Sequence, residues 1–82
     1  MTALSRAPEG ARVRVRSVPG GSVGGMLKSR GIMPGSVLTI VSNPSVPWSP
    51  VIVKVMGTRV AVGRDVANSI EVEVLSEGEP VS

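Results

Sequence analysis

The segment at residues 27–37, Leu-Lys-Ser-Arg-Gly-Ile-Met-Pro-Gly-Ser-Val, constrains the fold more than any other part of the chain. Gly31 suits the left-handed backbone conformation that commonly follows the last residue of a helix. Pro34 and Gly35 fit the two central positions of a type II turn, because proline fixes the first φ angle and glycine accepts a positive second one. The segment therefore predicts a helix that passes through a tight turn directly into a strand.

The composition favours strands for the rest of the chain. Of the 82 residues, 41% are hydrophobic, mostly aliphatic, and Trp48 is the only aromatic residue. β-Branched side chains suit the pleated surface of a sheet. A chain of this length is near the lower limit at which a hydrophobic core suffices. Because it contains no cysteine, it has neither disulfides nor thiolate metal ligands. We therefore expect a single, mostly β domain.

Alternating apolar and polar residues predict five short strands with tight turns between them. The strands are expected at residues 11–18, 37–42, 51–56, 59–62 and 70–75. Gly57 and Thr58 are predicted to form a type II′ hairpin turn, because glycine stands first in the pair. Short strands joined in this way favour a small closed barrel, which leaves few sheet edges exposed. The predicted fold class is all-β, with one short helix.

The predicted helix covers residues 23–30, with Ser22 as its N-cap and an apolar stripe facing the core. Lys28 and Arg30 then lie near the negative end of the helix dipole, where basic side chains are favoured. One further helical turn, capped by Asp65, is expected before the last strand.

The polar C-terminal residues predict where the domain ends. Residues 76–82 are polar and contain Gly78 and Pro80, which predicts a disordered tail after a domain that spans residues 4–75. No apolar run approaches the ~20 residues needed to cross a bilayer. The N-terminus lacks the basic and then apolar pattern of a secretory signal. We therefore expect a cytoplasmic protein that does not insert into the membrane.

The junction at 27–37, together with the order and spacing of core and turn residues over residues 4–74, resembles the FeoA family. The matching positions are Leu4, Gly10, Val13, Val15, Leu27, Gly31, Pro34, Gly35, Val37, Ile40, Pro50, Val53, Val55, Gly57, Val60, Ala61, Val62, Ala67, Ile70 and Val72. Arg30 departs from the pattern, because the family usually has an apolar residue there. The resemblance implies a five-stranded SH3-like barrel with a helix inserted after the first strand.

The resemblance also implies a function. Proteins of this family are non-enzymatic accessory proteins of ferrous iron transport, and their partner is FeoB, a membrane iron transporter with a cytoplasmic G domain. The sequence leaves open whether the chain also self-associates weakly.

The residues themselves offer little for catalysis or metal binding. The chain has no histidine, cysteine or tyrosine, and its sole aspartate, Asp65, is better explained as a helix cap. Glu71 and Glu73 are interpreted as a solvated strand face. The glycine-rich stretch at 20–25 lacks the Gly-Lys-Ser/Thr ending of a phosphate-binding loop. We therefore expect no enzyme activity, no cofactor and no metal site.

A row of arginines is the alternative binding surface. The net charge is +3, and Arg12, Arg14 and Arg16 share one face of the first predicted strand. Such a row could bind phosphates in RNA or the ribosome, although the aromatic residues that usually stack on bases are lacking. The favoured interpretation is structural, because the first and last strands of an SH3-like barrel are neighbours. The row would then pair with Glu71 and Glu73, which argues against a nucleic-acid partner.

The candidate partner-binding residues are Lys28 and Arg30 on the helix and Val46 and Trp48 in the proline-rich loop at 43–50. Prolines lower the entropic cost of presenting a contact surface, and tryptophan is enriched at interface hot spots. The competing interpretation is that Trp48 folds back to cover one end of the barrel.

Overall fold

The computed structural model describes residues 1–44 and 46–76 of the chain. Within these residues there are six strands, two α-helices and a 3₁₀ turn at Leu4–Arg6. The strands are β1 (Thr2–Ala3), β2 (Arg12–Ser17), β3 (Val37–Ser42), β4 (Val51–Val55), β5 (Thr58–Val62) and β6 (Glu71–Ser76), and the helices are α1 (Gly21–Ser29) and α2 (Arg64–Ala67). Neighbouring strands are antiparallel, in the order β1-β6-β2-β3-β4-β5. The predicted mostly β fold class is confirmed.

Strand β2 has the alternation that its sequence predicts. Val13 and Val15 are buried, whereas Arg12, Arg14 and Arg16 are exposed. The strand pairs with β3 on one side and with β6 on the other, so it lies inside the sheet. Its two faces therefore separate the aliphatic core from the solvent.

The core consists of aliphatic side chains from all parts of the described chain. Its buried members are Leu4, Ala7, Ala11, Val13, Val15, Leu27, Ile32, Leu38, Ile40, Val51, Val53, Val55, Val60, Val62, Ala67, Ile70 and Val72. No charged or polar residue is buried among the residues described. Burial of this aliphatic surface is the main favourable contribution to folding.

The helix-to-strand junction has the predicted geometry. Gly31 has a φ of 85° and Gly35 a φ of 95°. The N–H of Ser36 donates to the carbonyl of Met33 at 2.9 Å, which closes the turn around Pro34. A Cβ atom on Gly31 would lie 3.0 Å from Cγ1 of Val55, so this glycine also allows the junction to pack closely against β4.

The beginning of α1 differs from the prediction. Ser22 is not the N-cap; Gly20 takes that position and makes no side-chain hydrogen bond, and the helix begins at Gly21. The first turn lies so close to the preceding segment that a Cβ on Gly24 would clash with the carbonyl oxygen of Pro19. Gly24 therefore allows a close backbone approach, whereas a Cβ on Gly25 would meet nothing within 4 Å.

The hairpin between β4 and β5 is shifted by one residue from the prediction. Its central residues are Met56, with a φ of 50°, and Gly57, with a φ of 82°, while Thr58 already belongs to β5. Two positive φ angles define a type I′ turn, so the predicted type II′ turn is wrong. The type I′ turn matches the twist of the strands although methionine is uncommon in it.

The predicted cap of the second helical turn is also wrong. Gly63 is the N-cap of α2, and the side chain of Asp65 makes no capping hydrogen bond. Asp65 lies instead in the first turn, where a carboxylate is favoured by the helix dipole.

The N-terminal segment contains an element that the sequence did not predict. In β1, Thr2 pairs with Val72 and Ala3 with Glu71, which adds a sixth strand to the predicted five. The N–H of Leu4 then donates to the carbonyl of Ile70 at 2.8 Å. A strand of two residues is too short for an alternation to be visible.

The helices described are short. None of those within residues 1–44 and 46–76 has the length and apolar character that crossing a bilayer requires.

The predicted disordered tail lies outside the described residues from residue 77 onward. Ser76, which we expected in that tail, is the last residue of β6.

Candidate partner-binding site

The C-terminal end of α1 presents two of the candidate basic residues. Lys28 lies in the last turn of the helix and Arg30 at its C-cap, and both side chains are exposed. The N–H of Arg30 donates to the carbonyl of Leu27 at 3.0 Å, and that of Gly31 to the carbonyl of Lys28 at 2.9 Å. These bonds and the left-handed Gly31 set the direction in which the chain leaves the helix. The same geometry therefore places Arg30 at the surface.

A groove runs between α1 and β5, and we call it the β5 groove. Its apolar part has a volume of about 280 Å³ and is lined by Met26, Leu27, Arg30, Val60, Ala61, Val62, Gly63 and Val66. Its outer part has a volume of about 550 Å³ and is lined by Lys28, Ser29, Arg30, Gly31, Val55, Met56, Thr58, Arg59 and Val60. The two parts share Arg30 and Val60, so they lie next to each other along the strand.

The charged side chains that line the β5 groove are basic. Lys28, Arg30 and Arg59 line it, and no aspartate or glutamate is among the described residues that do. A groove with an apolar floor and a basic rim favours an acidic ligand that also has apolar side chains.

The proline-rich loop presents Trp48 to the solvent. The side chain is 82% exposed, so the interpretation in which it covers an end of the barrel is wrong. Val46 is half-buried in the same loop. Neither residue lines the β5 groove as described. The four candidate residues therefore fall into two groups, Lys28 and Arg30 in the groove and Val46 and Trp48 in the loop.

Arg64 holds the proline-rich loop in place. Its Nε donates to the carbonyl of Ser49 at 3.0 Å, and its Nη2 donates to the carbonyl of Pro44 at 2.8 Å and to Oδ1 of Asn43 at 2.9 Å. Its Nη1 reaches the carbonyl of Ser5 at 3.3 Å. Sequence analysis missed this role, because three of these four acceptors are backbone carbonyls, which any residue supplies.

Asn43 extends the same network to the N-terminal segment. Its Nδ2 donates to the carbonyls of Ser5 at 3.0 Å and Ala7 at 2.7 Å. The N–H of Asn43 donates to Oε2 of Glu9 at 2.7 Å. The loop, α2 and the N-terminal segment are thus joined by one set of polar contacts.

The arginine row lies beside an acidic residue, as we expected. Glu73 Oε1 is 3.6 Å from Nη1 of Arg14 and 3.8 Å from Nη1 of Arg16. Glu71 instead accepts a hydrogen bond from Oγ of Ser17 at 3.2 Å. Glu73 therefore makes the predicted cross-strand ion pairs. Glu71, which we also expected to pair with the arginine row, bonds to Ser17 instead.

Comparison with known proteins identifies the family. The model of the FeoA domain matches residues 2–74. The chain belongs to the FeoA family. The family is one of small proteins associated with ferrous iron transport. No curated protein sequence matches the chain significantly.

Solved structures agree with this membership. A crystal structure of an iron uptake regulatory protein (FeoA) is 28% identical, covers 90% of this chain and 96% of its own, and has a TM-score of 0.78. FeoA from Chlorobium tepidum is 27% identical, with 99% and 79% covered and a TM-score of 0.80. FeoA from Stenotrophomonas maltophilia, described as a prokaryotic SH3 domain protein, is 25% identical, with 89% and 91% covered and a TM-score of 0.74. The SH3-like fold is thereby confirmed.

The Stenotrophomonas maltophilia FeoA was solved as a complex with zinc. In this chain, the part that the structure describes contains no group of three or more histidine, cysteine, aspartate or glutamate side chains that could hold a metal ion.

Proposed function

We propose that the chain is a non-enzymatic accessory protein of ferrous iron transport that binds the cytoplasmic part of a FeoB-type transporter. The observation that carries the proposal is the match to the FeoA domain over residues 2–74. The proposed contact surface is the β5 groove, with Lys28 and Arg30 at its rim. In this role the protein acts in the cytoplasm.

Two relatives support a role in iron transport. One structure is described as an iron uptake regulatory protein. For the FeoA of Stenotrophomonas maltophilia, action as a ferrous iron transport activating factor has been suggested. Both descriptions connect these relatives with iron uptake or transport, which agrees with an accessory role for this chain.

The alternative function, RNA or ribosome binding by the arginine row, has weaker support. Glu73 lies within 3.8 Å of both Arg14 and Arg16, so phosphate groups would have to compete with a carboxylate already present. The β5 groove has no such internal competitor among the described residues that line it. Electrostatic attraction to a partner is therefore expected at the groove.

The test is direct binding to the purified cytoplasmic part of a FeoB-type transporter, measured by calorimetry. We expect the parent chain to bind, and Arg30→Glu to weaken binding about tenfold, because charge reversal at an interface costs on the order of 1 kcal/mol or more. Arg6→Glu is the matched control, since Arg6 is exposed in the 3₁₀ turn and lines no part of the groove. It should bind like the parent.

Two results would contradict the proposal. The first is that the folded parent chain does not bind the transporter at all. The second is that Arg30→Glu and Arg6→Glu weaken binding equally, which would place the contact outside the β5 groove. Retention of the parent chain on RNA, removed by nuclease, would favour the alternative.

A further inference from the structure

Strand β5 is one of the two edges of the sheet. It pairs with β4 on one side, and no strand among the described residues pairs with its other side. An edge strand offers unpaired N–H and C=O groups to any extended chain that can lie beside it. The other edge, β1, has only two residues and offers far less.

The register identifies which backbone groups of β5 face outward. The turn at Met56 and Gly57 makes Val55 and Thr58 a directly opposed pair, and such a pair next to a two-residue turn is hydrogen-bonded. Hydrogen-bonded and non-hydrogen-bonded pairs alternate along an antiparallel ladder. The N–H and C=O groups of Arg59 and Ala61 therefore point away from β4.

These outward groups have no other partner within the described part of the chain. None of the turn, loop or capping hydrogen bonds of the main chain involves Arg59 or Ala61. No described side chain donates to or accepts from them. Both residues are exposed to solvent.

The β5 groove runs along this same edge. Its lining includes Thr58, Arg59, Val60, Ala61, Val62 and Gly63, which is the whole strand and the residue after it. Five residues of strand extend over about 16 Å, the length of a short extended peptide. Opposite the edge stand Met26, which is 48% exposed, and Arg30. A chain lying on β5 would thus have apolar and basic side chains beside it.

We propose that an extended acidic segment of a partner protein adds to β5 as a further strand of the sheet. Its backbone pairs with the outward groups of Arg59 and Ala61. Its apolar side chains enter the groove beside Met26, and its carboxylates lie near Lys28, Arg30 and Arg59. Strand addition supplies affinity through the main chain and specificity through alternate side chains. The inference rests on the proposed function only in using the same groove.

A peptide fits this edge better than a nucleic acid does. The outward groups alternate between donors and acceptors with the spacing of a strand, which a peptide backbone matches and a phosphate backbone does not. The groove also has an apolar floor and no aromatic side chain on which a base could stack. The basic rim adds the preference for carboxylates.

The test uses a seven-residue peptide of alternating glutamate and valine, titrated into the full chain and followed by amide NMR. We expect saturable shifts at Arg59 and Ala61 and slower hydrogen exchange of those two amides. The same peptide methylated on every backbone nitrogen should bind about tenfold more weakly, because none of its N–H groups can then donate to the outward carbonyls of Arg59 and Ala61. A peptide with lysine in place of glutamate should bind more weakly as well.

Variants of the chain test whether peptide binding needs the outward N–H group of Ala61. Ala61→Pro removes one outward N–H without breaking a bond to β4, and proline is tolerated at an edge strand. It should weaken binding about tenfold. Arg6→Ala is the control outside the groove, because Arg6 lines no part of it, and this variant should bind like the parent. If Ala61→Pro does not fold, the methylated peptide decides the matter alone.

Several results would overturn the inference. They are the absence of saturable binding, equal affinity for the methylated peptide, or shifts confined to residues outside the groove. Preferential binding of a short oligonucleotide to the groove would make the ligand a nucleic acid. A concentration-dependent dimer abolished by Ala61→Pro, seen by sedimentation, would make it a second copy of the chain. The peptide experiment uses no transporter, so its failure would not contradict the proposed function. Likewise, a failure to bind the transporter would not contradict strand addition at β5.

Discussion

Two basic regions of the molecule, the arginine row on β2 and the rim of the β5 groove, differ in what stands opposite them. Glu73 on the neighbouring strand lies within 3.8 Å of Arg14 and Arg16. Lys28, Arg30 and Arg59 line a groove with no acidic residue among its described lining. The number of basic residues in a segment is therefore a poor guide to ligand binding. The residues across the ladder or groove are the better guide.

The largest expected effect on stability comes from Leu27, a buried residue that lines the β5 groove. Leu27 is only 2% exposed in the core, so Leu27→Ala should lower the free energy of unfolding by about 2–5 kcal/mol, through lost burial and a cavity. Chemical denaturation measures this. Met26→Ala is the control on the same helix, and it should cost less than about 1 kcal/mol because Met26 is half-exposed. Equal losses would mean that α1 does not pack as described.

Arg64 differs from both basic regions, because most of its hydrogen-bond acceptors are backbone carbonyls. Arg64→Ala should lower the free energy of unfolding by about 1.5–3 kcal/mol, since its hydrogen bonds are charge-assisted and partly buried. Thermal or denaturant unfolding gives the value. Arg59→Ala, which removes an exposed arginine with no described hydrogen bond, should change stability by less than about 0.5 kcal/mol. A neutral Arg64→Ala would contradict its role as the anchor of the loop.

The arginine row should show a smaller effect on stability. Arg14→Glu should cost about 0.2–1 kcal/mol, because its pair with Glu73 is exposed to solvent. Adding Glu73→Arg in the same chain should recover part of the loss, whereas adding Glu71→Arg should not, since Glu71 contacts Ser17. Denaturation of the single and double variants forms the test. Recovery by Glu71→Arg alone would show that the pairing differs from the one described.

Trp48 should show the smallest effect on stability. Trp48→Ala should change the free energy of unfolding by no more than about 0.5 kcal/mol, as is usual for an exposed residue. A calorimetric melting curve measures it. If the variant binds the transporter as well as the parent does, the loop is not part of the contact surface. If it unfolds, Trp48 packs against the domain after all.

Features encoded by local backbone chemistry could be predicted from the sequence. The left-handed Gly31 and the turn at Pro34 and Gly35 follow from the conformations that these residues allow. The alternation of β2 identified both its buried valines and its arginine face. The strand pairing that brings Glu73 to Arg14 followed from the fold class, although the exact register did not.

Contacts made through backbone groups, or between elements that no sequence pattern connects, could not be predicted. The pairing of Thr2 and Ala3 with β6 requires only backbone groups, which leave no pattern in the sequence. The contacts of Arg64 likewise end mostly on carbonyl oxygens. The groove is formed by α1 and β5, which are distant in the sequence, so the sequence indicated the basic residues Lys28 and Arg30 but not the β5 side of the groove.

The exposed position of the only aromatic residue makes the chain a natural fluorescent sensor. Trp48 is already in water in the folded state, so its emission should change little when the domain unfolds. The loop that carries it is held by Arg64, which donates to the carbonyls of Ser49 and Pro44. A blue shift of the emission would therefore report a molecule covering the loop and not a change in folding. One wavelength scan can thus separate docking at the loop from docking at the β5 groove.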